Sequence, residues 1–534
     1  MAIHIASLGK RFGAHTLAAC VVLGSMVAAS PAGRAQTFTA LYSFCSQYYP
    51  ATSGCLDGYW PYAGLVQATD GNFYGTTGGG GAYGVGTVFK ITPGGELTTL
   101  HSFDVADGTG PSGGLVQATD GNFYGTTSDG GPYCGYMCVP QGTVFRITPG
   151  GTLTTLYVFC LQGSPSTGCP DGAYPGGPLV QGSDGNLYGT TTMGYGPNEG
   201  TIFRITLGGT LTTLHSFEGT DGNDPEGGLV QQATDGNFYG TTAGGGAYGQ
   251  GTVFKITPEG TLTTLYSFCA QSGCTDGTGP GGGVVQGSDG NFYGTTSCDG
   301  IGLGYFGTVF RITPEGSLTT LYSFCSQYDP DTGLCMDGNY PTTGLVQGSD
   351  GDFYGTTSST TPPGALGFSP FGGTVFKITP GGSLTTLYVF CLQANGSCPN
   401  GSTPYAAPIQ GTDGNFYGTT FEGGANSECS GGCGTVYKLS VGLGAFVETQ
   451  PTFGPDGEPV IILGNDLAGA TSVRFNGTAA RFSVVSSTEI HTSVPKGART
   501  GKVRVTTPSG TLTSNVPFRV TACAETPCML PEAP

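Results

Sequence analysis

Gly64-Leu-Val-Gln-Ala-Thr-Asp-Gly-Asn-Phe-Tyr-Gly-Thr-Thr77 returns seven times along this 534-residue chain. Its central aspartate recurs as Asp70, Asp120, Asp184, Asp235, Asp289, Asp350 and Asp413, at intervals of 50 to 64 residues. A second phrase, Gly86-Thr-Val-Phe-Lys-Ile-Thr92, also occurs seven times, ending as Gly434-Thr-Val-Tyr-Lys-Leu-Ser440. A third, Leu97-Thr-Thr-Leu-His-Ser-Phe103, follows the second in the first six repeats only. Its missing copy stands at the other end, where Phe38-Thr-Ala-Leu-Tyr-Ser-Phe44 precedes the first repeat. Repeats of this length are supersecondary units that bury their apolar faces against one another.

Each repeat offers four strand-like runs rich in Val, Thr, Phe, Tyr and Ile, bounded by Asp-Gly or Pro-Gly-Gly turns. We letter them A (Leu65–Gln67), B (Asn72–Thr77), C (Thr87–Thr92) and D (Leu97–Phe103). In strand C, Phe89 and Ile91 face one way and Val88 the other, so both faces are apolar, as a sheet buried between two neighbours requires. Seven A–B–C sets with six D strands leave one sheet a strand short, and the orphan N-terminal run supplies it. A ring needs that closure, because an unsealed edge is a liability; an open solenoid has no use for a displaced strand. The expectation is an all-β fold with a seven-bladed β-propeller over residues 37–440, closed by the N-terminal strand. Gly75, repeated in every B strand, weakens a strand unless something packs closely on it, and the adjacent blade is expected to be that neighbour.

The two long phrases resemble the bacterial tandem repeat called GloVer, over roughly residues 37 to 440. That resemblance implies an exported protein of the cell surface or extracellular space, and no known enzymatic activity.

The N-terminus agrees with export. Lys10 and Arg11 precede an apolar stretch from Leu17 to Ala29, and small residues follow to Ala35. This is the pattern of a signal peptide over residues 1–35, too short for a transmembrane helix. Removing it takes Lys10, Arg11 and Arg34 with no acid, so the net charge of −18 becomes −21. So acidic a chain is unsuited to nucleic acid or an anionic membrane, and no membrane span is expected in the mature protein. The 100 glycines and 57 Tyr and Phe residues recur in register, which reads as turns and packing rather than disorder.

Sixteen cysteines fall into local pairs: Cys45 with Cys55, Cys134 with Cys138, Cys160 with Cys169, Cys269 with Cys274, Cys325 with Cys335, Cys391 with Cys398, Cys429 with Cys433, and Cys523 with Cys528. In an exported protein these read as disulfide staples; Cys298 is left over. Cys429 and Cys433 have a zinc-like spacing but no nearby His and no second matching pair in sequence, so no metal is assigned. No cofactor motif is found, and nothing selects an oligomeric state.

Past Leu439, residues 441–449 read as a linker, and six short strands over residues 450–521 suggest a small β-sandwich. Val460 to Gly477 resembles the IPT/TIG immunoglobulin-like domain, which implies a spacer or adhesive module. Residues 522–534 form a tail.

Function is sought on the face that gathers the long B–C and D–A connections, because variable loops on a rigid scaffold carry binding. Its aromatics, Tyr59, Trp60, Tyr83, Tyr133, Tyr195, Tyr248, Tyr305 and Phe368, are the candidate ligand-binding residues, by stacking on sugar rings or anchoring a protein; pinning Gly-rich loops is the competing reading. No catalytic residue is assigned. The repeated Asp70-Gly-Asn72 reads as a hairpin turn rather than a calcium loop, and His101 and His215 occupy strand-D positions that hold Tyr in other blades. The sequence points to a non-catalytic binding or display protein with carbohydrate or protein as partner. A polysaccharide-active enzyme using loop carboxylates and a structural surface-layer component are the alternatives.

Overall fold

A computed structural model of the chain describes residues 36–49, 54–131, 141–161, 168–194, 199–231, 235–298, 306–361, 372–392 and 398–521. Residues 1–35, the expected signal peptide, and the tail 522–534 lie outside the described residues, as do Tyr133, Tyr195, Tyr305 and Phe368 of the candidate aromatics.

The repeat folds into seven four-stranded antiparallel sheets. In the first, Val66–Gln67, Phe73–Thr77, Thr87–Ile91 and Leu97–Ser102 pair in sequence order as strands A to D. The seventh has Ile409–Gln410, Phe416–Thr420 and Thr435–Ser440, and its fourth strand is Thr37–Ser43 from the N-terminus. That strand runs antiparallel to Thr435–Ser440 and carries a bulge between Ala40 and Tyr42. The C–D pairs of the first six sheets shift register at one place, between Val88 and Phe89 in the first. The N-terminal strand thus takes the D position with a D strand's irregularity, as its sequence predicts.

The ring closes through contacts repeated at successive junctions. Thr69 N–H donates to Gln117 Oε1 of the next blade at 3.0 Å, and Thr412 N–H of blade seven donates to Gln67 Oε1 of blade one at 2.9 Å. A B-strand tyrosine of one blade lies against the B-strand phenylalanine of the next, as in Tyr74 on Phe123 and, across the closure, Tyr417 on Phe73, both with centroids 4.1 Å apart. Val88 and Phe89 enter different clusters, one shared with blade two and one with blade seven. Both faces of each sheet are core, which accounts for the apolar residues on both sides of strand C.

Gly75 is close-packed for a different reason from the expected one. A Cβ there would stand 2.6 Å from the Phe89 ring and 2.9 Å from Leu65, both in its own blade. The glycine lets a C-strand ring lie flat across its own B strand; the neighbouring blade is not the cause.

Six disulfides are formed among the described residues: Cys45–Cys55, Cys160–Cys169, Cys269–Cys274, Cys325–Cys335, Cys391–Cys398 and Cys429–Cys433. The other two expected pairs, Cys134 with Cys138 and Cys523 with Cys528, lie outside the described residues. Five of the six staple the connection that follows strand D. Cys429–Cys433, in the B–C loop of blade seven, lies beside Cys45–Cys55, with all four sulfurs within 4.8 Å of one another. The second pair that the sequence did not place near Cys429 is therefore supplied by the ring closure, and both pairs are oxidised. Cys298 is half-buried and exchanges backbone hydrogen bonds with Thr278. No helix among the described residues is long and apolar enough to cross a membrane.

After the ring, Glu448–Gln450, Pro459–Leu463, Glu489–Ser493 and Phe482–Val484 form one sheet, and Thr478–Ala480, Ser472–Phe475, Val503–Thr507 and Gly510–Thr513 another. Their inner faces share a core that includes Val460, Ile462, Phe475, Ile490, Val505 and Phe518. This immunoglobulin-like sandwich touches the A–B turns of the ring. Thr488 donates to Thr69 O at 2.7 Å, Asn465 to Thr412 Oγ1 at 3.1 Å, and Arg519 to Gly287 O at 3.4 Å. These turns lie on the face opposite the long loops, in blades one, seven and five.

Candidate functional site

Just before strand A, every repeat has a proline: Pro61, Pro111, Pro175, Pro225, Pro280, Pro341 and Pro404. The residue ahead of each is left-handed, with φ between 55° and 64°, and five of these seven residues are not glycine: Trp60, Tyr174, Asp224, Tyr340 and Thr403. Such a backbone is costly for a side chain, above all a β-branched one, and persists only where its surroundings impose it. Here they do. Trp60 N–H donates to Cys433 O of the previous blade at 3.0 Å and its carbonyl accepts from Gly78 N–H at 2.9 Å. Tyr174, Asp224, Tyr340 and Thr403 repeat both bonds.

The consequence is a ring. The residue after each proline (Tyr62, Ser112, Gly176, Glu226, Gly281, Thr342, Tyr405) lines one cavity of about 950 Å³ on the long-loop face. That volume is at the upper end of small-ligand pockets. The backbone of the motif is the same seven times over, while the side chain at this position differs.

The ring is lopsided. Tyr62 of blade one and Tyr405 of blade seven stack with centroids 5.0 Å apart, and Phe421 packs edge-on against Tyr405 at 5.3 Å. Phe421 in turn stacks on Trp60 at 5.5 Å, and Tyr59 meets Trp60 edge-on at 4.8 Å. Tyr340 of blade six extends this wall. On the far side stands Glu226, flanked at the equivalent positions by Gly176 and Gly281, which put no side chain into the cavity, and Tyr174 lines the cavity as well.

The one charged group on the described cavity lining is an acid. Among the described lining residues there is no Lys, Arg or His, and Glu226 is the one carboxylate. Glu226 is exposed to the cavity but hemmed in by the ring; burial raises its carboxyl above the ordinary range, and Asp224 adds to the shift. Burial also raises Tyr62, with smaller contributions from Glu226, Tyr405 and Tyr340. Tyr405 is raised by burial, then by Glu422 and Tyr340. Thr342 Oγ1 and Trp60 Nε1 are buried without a hydrogen-bond partner in the protein.

Of the aromatics singled out from the sequence, Tyr59 and Trp60 come together behind the aromatic wall and support Phe421, rather than lining the cavity themselves. Tyr83 and Tyr248 are 67% and 55% exposed on the B–C loops of blades one and four, away from the cavity lining. The lining residues Tyr62, Tyr340, Tyr405, Phe421 and Glu226 were not singled out. For Tyr62, Tyr405 and Glu226 a signal is present in the sequence: each follows the proline that recurs before strand A, at a position that varies from repeat to repeat.

The other suspected sites resolve as structure. Asp70 accepts from Asn72 N–H, Asn72 Nδ2 and the Tyr74 hydroxyl at 2.8–3.0 Å, which occupies its carboxylate within the hairpin. His101 and His215 bond Asp107 and Asp221 at 2.7 Å, as the Tyr42 hydroxyl bonds Asp57 at 2.7 Å.

A closed propeller with a central cavity on its variable face is the class that fold and site define. The model of the Gloeobacter/Verrucomicrobia repeat matches residues 6–179 and 164–365, more than half of the chain, and that of the IPT/TIG domain matches residues 447–520. The chain belongs to the Gloeobacter/Verrucomicrobia repeat family and carries an IPT/TIG domain. No curated protein matches the sequence. Solved structures similar to it include a gluconolactonase of Xanthomonas campestris, at 14% identity and TM-score 0.34, covering 63% of this chain and 87% of that one. An aldose sugar dehydrogenase of Streptomyces coelicolor, with PQQ bound, has 14% identity and TM-score 0.36, covering 77% and 99%. An auxiliary nutrient binding protein of Bacteroides ovatus has 14% identity and TM-score 0.34, covering 60% and 73%.

Proposed function

We propose that this is an exported binding protein that takes carbohydrate in the central cavity of its propeller, displayed at the cell surface or outside the cell. Its working parts are the ring of residues 37–440, the connection 441–449 and the module of residues 450–521. The observation that carries the reading is the seven-fold ring of prolines, each preceded by a left-handed residue and followed by a variable one. A constant backbone device that aims a varying side chain into one cavity is a way of building a specific site on a repetitive scaffold. The wall of Tyr62, Tyr405 and Phe421 offers flat faces of the kind that stack on sugar rings. The six disulfides suit an oxidising compartment.

Among the described lining residues Glu226 is the one carboxylate, which favours binding over glycoside cleavage, since that ordinarily uses two carboxyl groups flanking the bond. The test is retention of residues 36–534 on insoluble and soluble polysaccharides, with the products checked for shortening. Retention lost in Tyr62→Ala and Tyr405→Ala but kept in Tyr83→Ala is the expected result. Shortened products would replace the binding reading with an enzymatic one, and no retention on any polysaccharide would remove the carbohydrate.

A further inference from the structure

The charge of the cavity narrows what it takes, given the reading of it as a carbohydrate site. Lopsidedness puts two groups with the same electrostatic preference opposite each other. Aromatic faces carry negative quadrupole potential and attract a cation within about 6 Å of the centroid. Glu226, across the cavity, adds a carboxylate on a rim narrowed to glycine on both sides, so a ligand group reaches it unobstructed. Asp224 is held by its left-handed backbone one residue before Pro225, and Glu422 hydrogen-bonds Thr403 Oγ1 at 3.2 Å beside the tyrosine wall. No basic side chain among the described lining residues offsets these acids. The protein as a whole is acidic, at −18, so its long-range field has the same sign. A uronate, sulfate or phosphate would meet acids with no counter-charge, which is costly in a concave site.

We propose that the cavity selects a saccharide bearing a protonated amine, such as a glucosamine chain whose amino groups are free rather than acetylated. The sugar face lies on Tyr62 and Tyr405, and the ammonium group reaches Glu226. The amine distinguishes this ligand from the same sugar acetylated, which keeps the stacking face and loses the charge.

Calorimetry on residues 36–534 at low ionic strength tests this with three tetrasaccharides: glucosamine, N-acetylglucosamine and glucose. The glucosamine chain is expected to bind roughly tenfold more tightly than the other two, the effect of a charge-assisted hydrogen bond between its ammonium group and the Glu226 carboxylate. Salt is expected to narrow the gap. The isosteric Glu226→Gln is expected to remove the preference for the glucosamine chain over its acetylated form with the thermal midpoint unchanged. Equal binding of all three, or a preference that survives Glu226→Gln, overturns the amine selectivity and leaves the carbohydrate reading standing. No binding of any saccharide removes both, and binding of a lysine-bearing peptide in their place points to a protein partner instead.

Discussion

The carboxylate of each A–B turn holds both the turn and the strand after it. Asp70 caps Asn72 through backbone and side chain and anchors the buried Tyr74 hydroxyl at 2.9 Å. His101 shows how far such a position tolerates change, since its ring bonds Asp107 where other blades use a tyrosine hydroxyl. His101→Tyr is expected to stay within about 1 kcal/mol of the parent, whereas His101→Ala, which takes from a part-buried carboxylate its side-chain partner and leaves it the Asp104 N–H, should cost about 1–3 kcal/mol in urea denaturation. Gly75 leaves less room. With the Phe89 ring 2.6 Å from the place a Cβ would take, Gly75→Ala is expected to destabilise by about 1–3 kcal/mol, as overpacking does. A neutral result in the same titration would show that the ring has space to shift.

Among elements, the strand Thr37–Ser43 has the largest consequence for its size. It covers the edge of Thr435–Ser440 and brings Phe38 and Phe44 into the clusters on either side of blade seven. Deleting residues 36–44 is expected to expose that edge and produce self-association by size-exclusion chromatography. Adding a peptide of residues 37–44 should reverse it; a deletion variant that stays monomeric with an unchanged melting curve would mean that the ring holds without its seal. The strand Glu448–Gln450, which leads into the sandwich, holds a second sensitive group. Burial pushes the Glu448 carboxyl up from 4.5 to about 7. A carboxyl raised by folding contributes its full stability below its unfolded value and loses it as pH rises through the folded one. Stability is therefore expected to fall between about pH 4.5 and pH 7, by up to about 3 kcal/mol, less because the residue is partly exposed. Glu448→Gln should remove that dependence from thermal melts taken across the range.

At the scale of the whole molecule, closure and cross-linking contribute separately. The six disulfides close loops of at most 10 residues in sequence separation, and loops that short give roughly 2–3 kcal/mol each in the chain-entropy account. None of the six joins one blade to the next along the chain, and the ring is sealed by strand pairing and by clusters shared between blades. Reduction is accordingly expected to lower the thermal midpoint while leaving the far-ultraviolet spectrum and a single cooperative transition intact. Collapse of the β signal on reduction would show that the staples hold the fold together.

The repeat, the strand count, the displaced D strand and six of the local cysteine pairs were all legible in the linear chain, because each is a short-range pattern. Strand pairing and turn chemistry read neighbours a few residues apart, and a seven-fold period multiplies that signal. The B–C and D–A connections could also be assigned to one face. Which residues on that face meet could not be read, because Tyr62 and Tyr405 are 343 positions apart and become neighbours only when blade seven closes on blade one. The same closure places Cys45–Cys55 beside Cys429–Cys433 and puts Glu226 across from the aromatic wall. The partner of Gly75 was also decided in three dimensions, since whether a ring folds over its own sheet or reaches into the next depends on packing depth. Local chemistry along the chain made the blades and their turns; the geometry of a closed ring assembled the cavity.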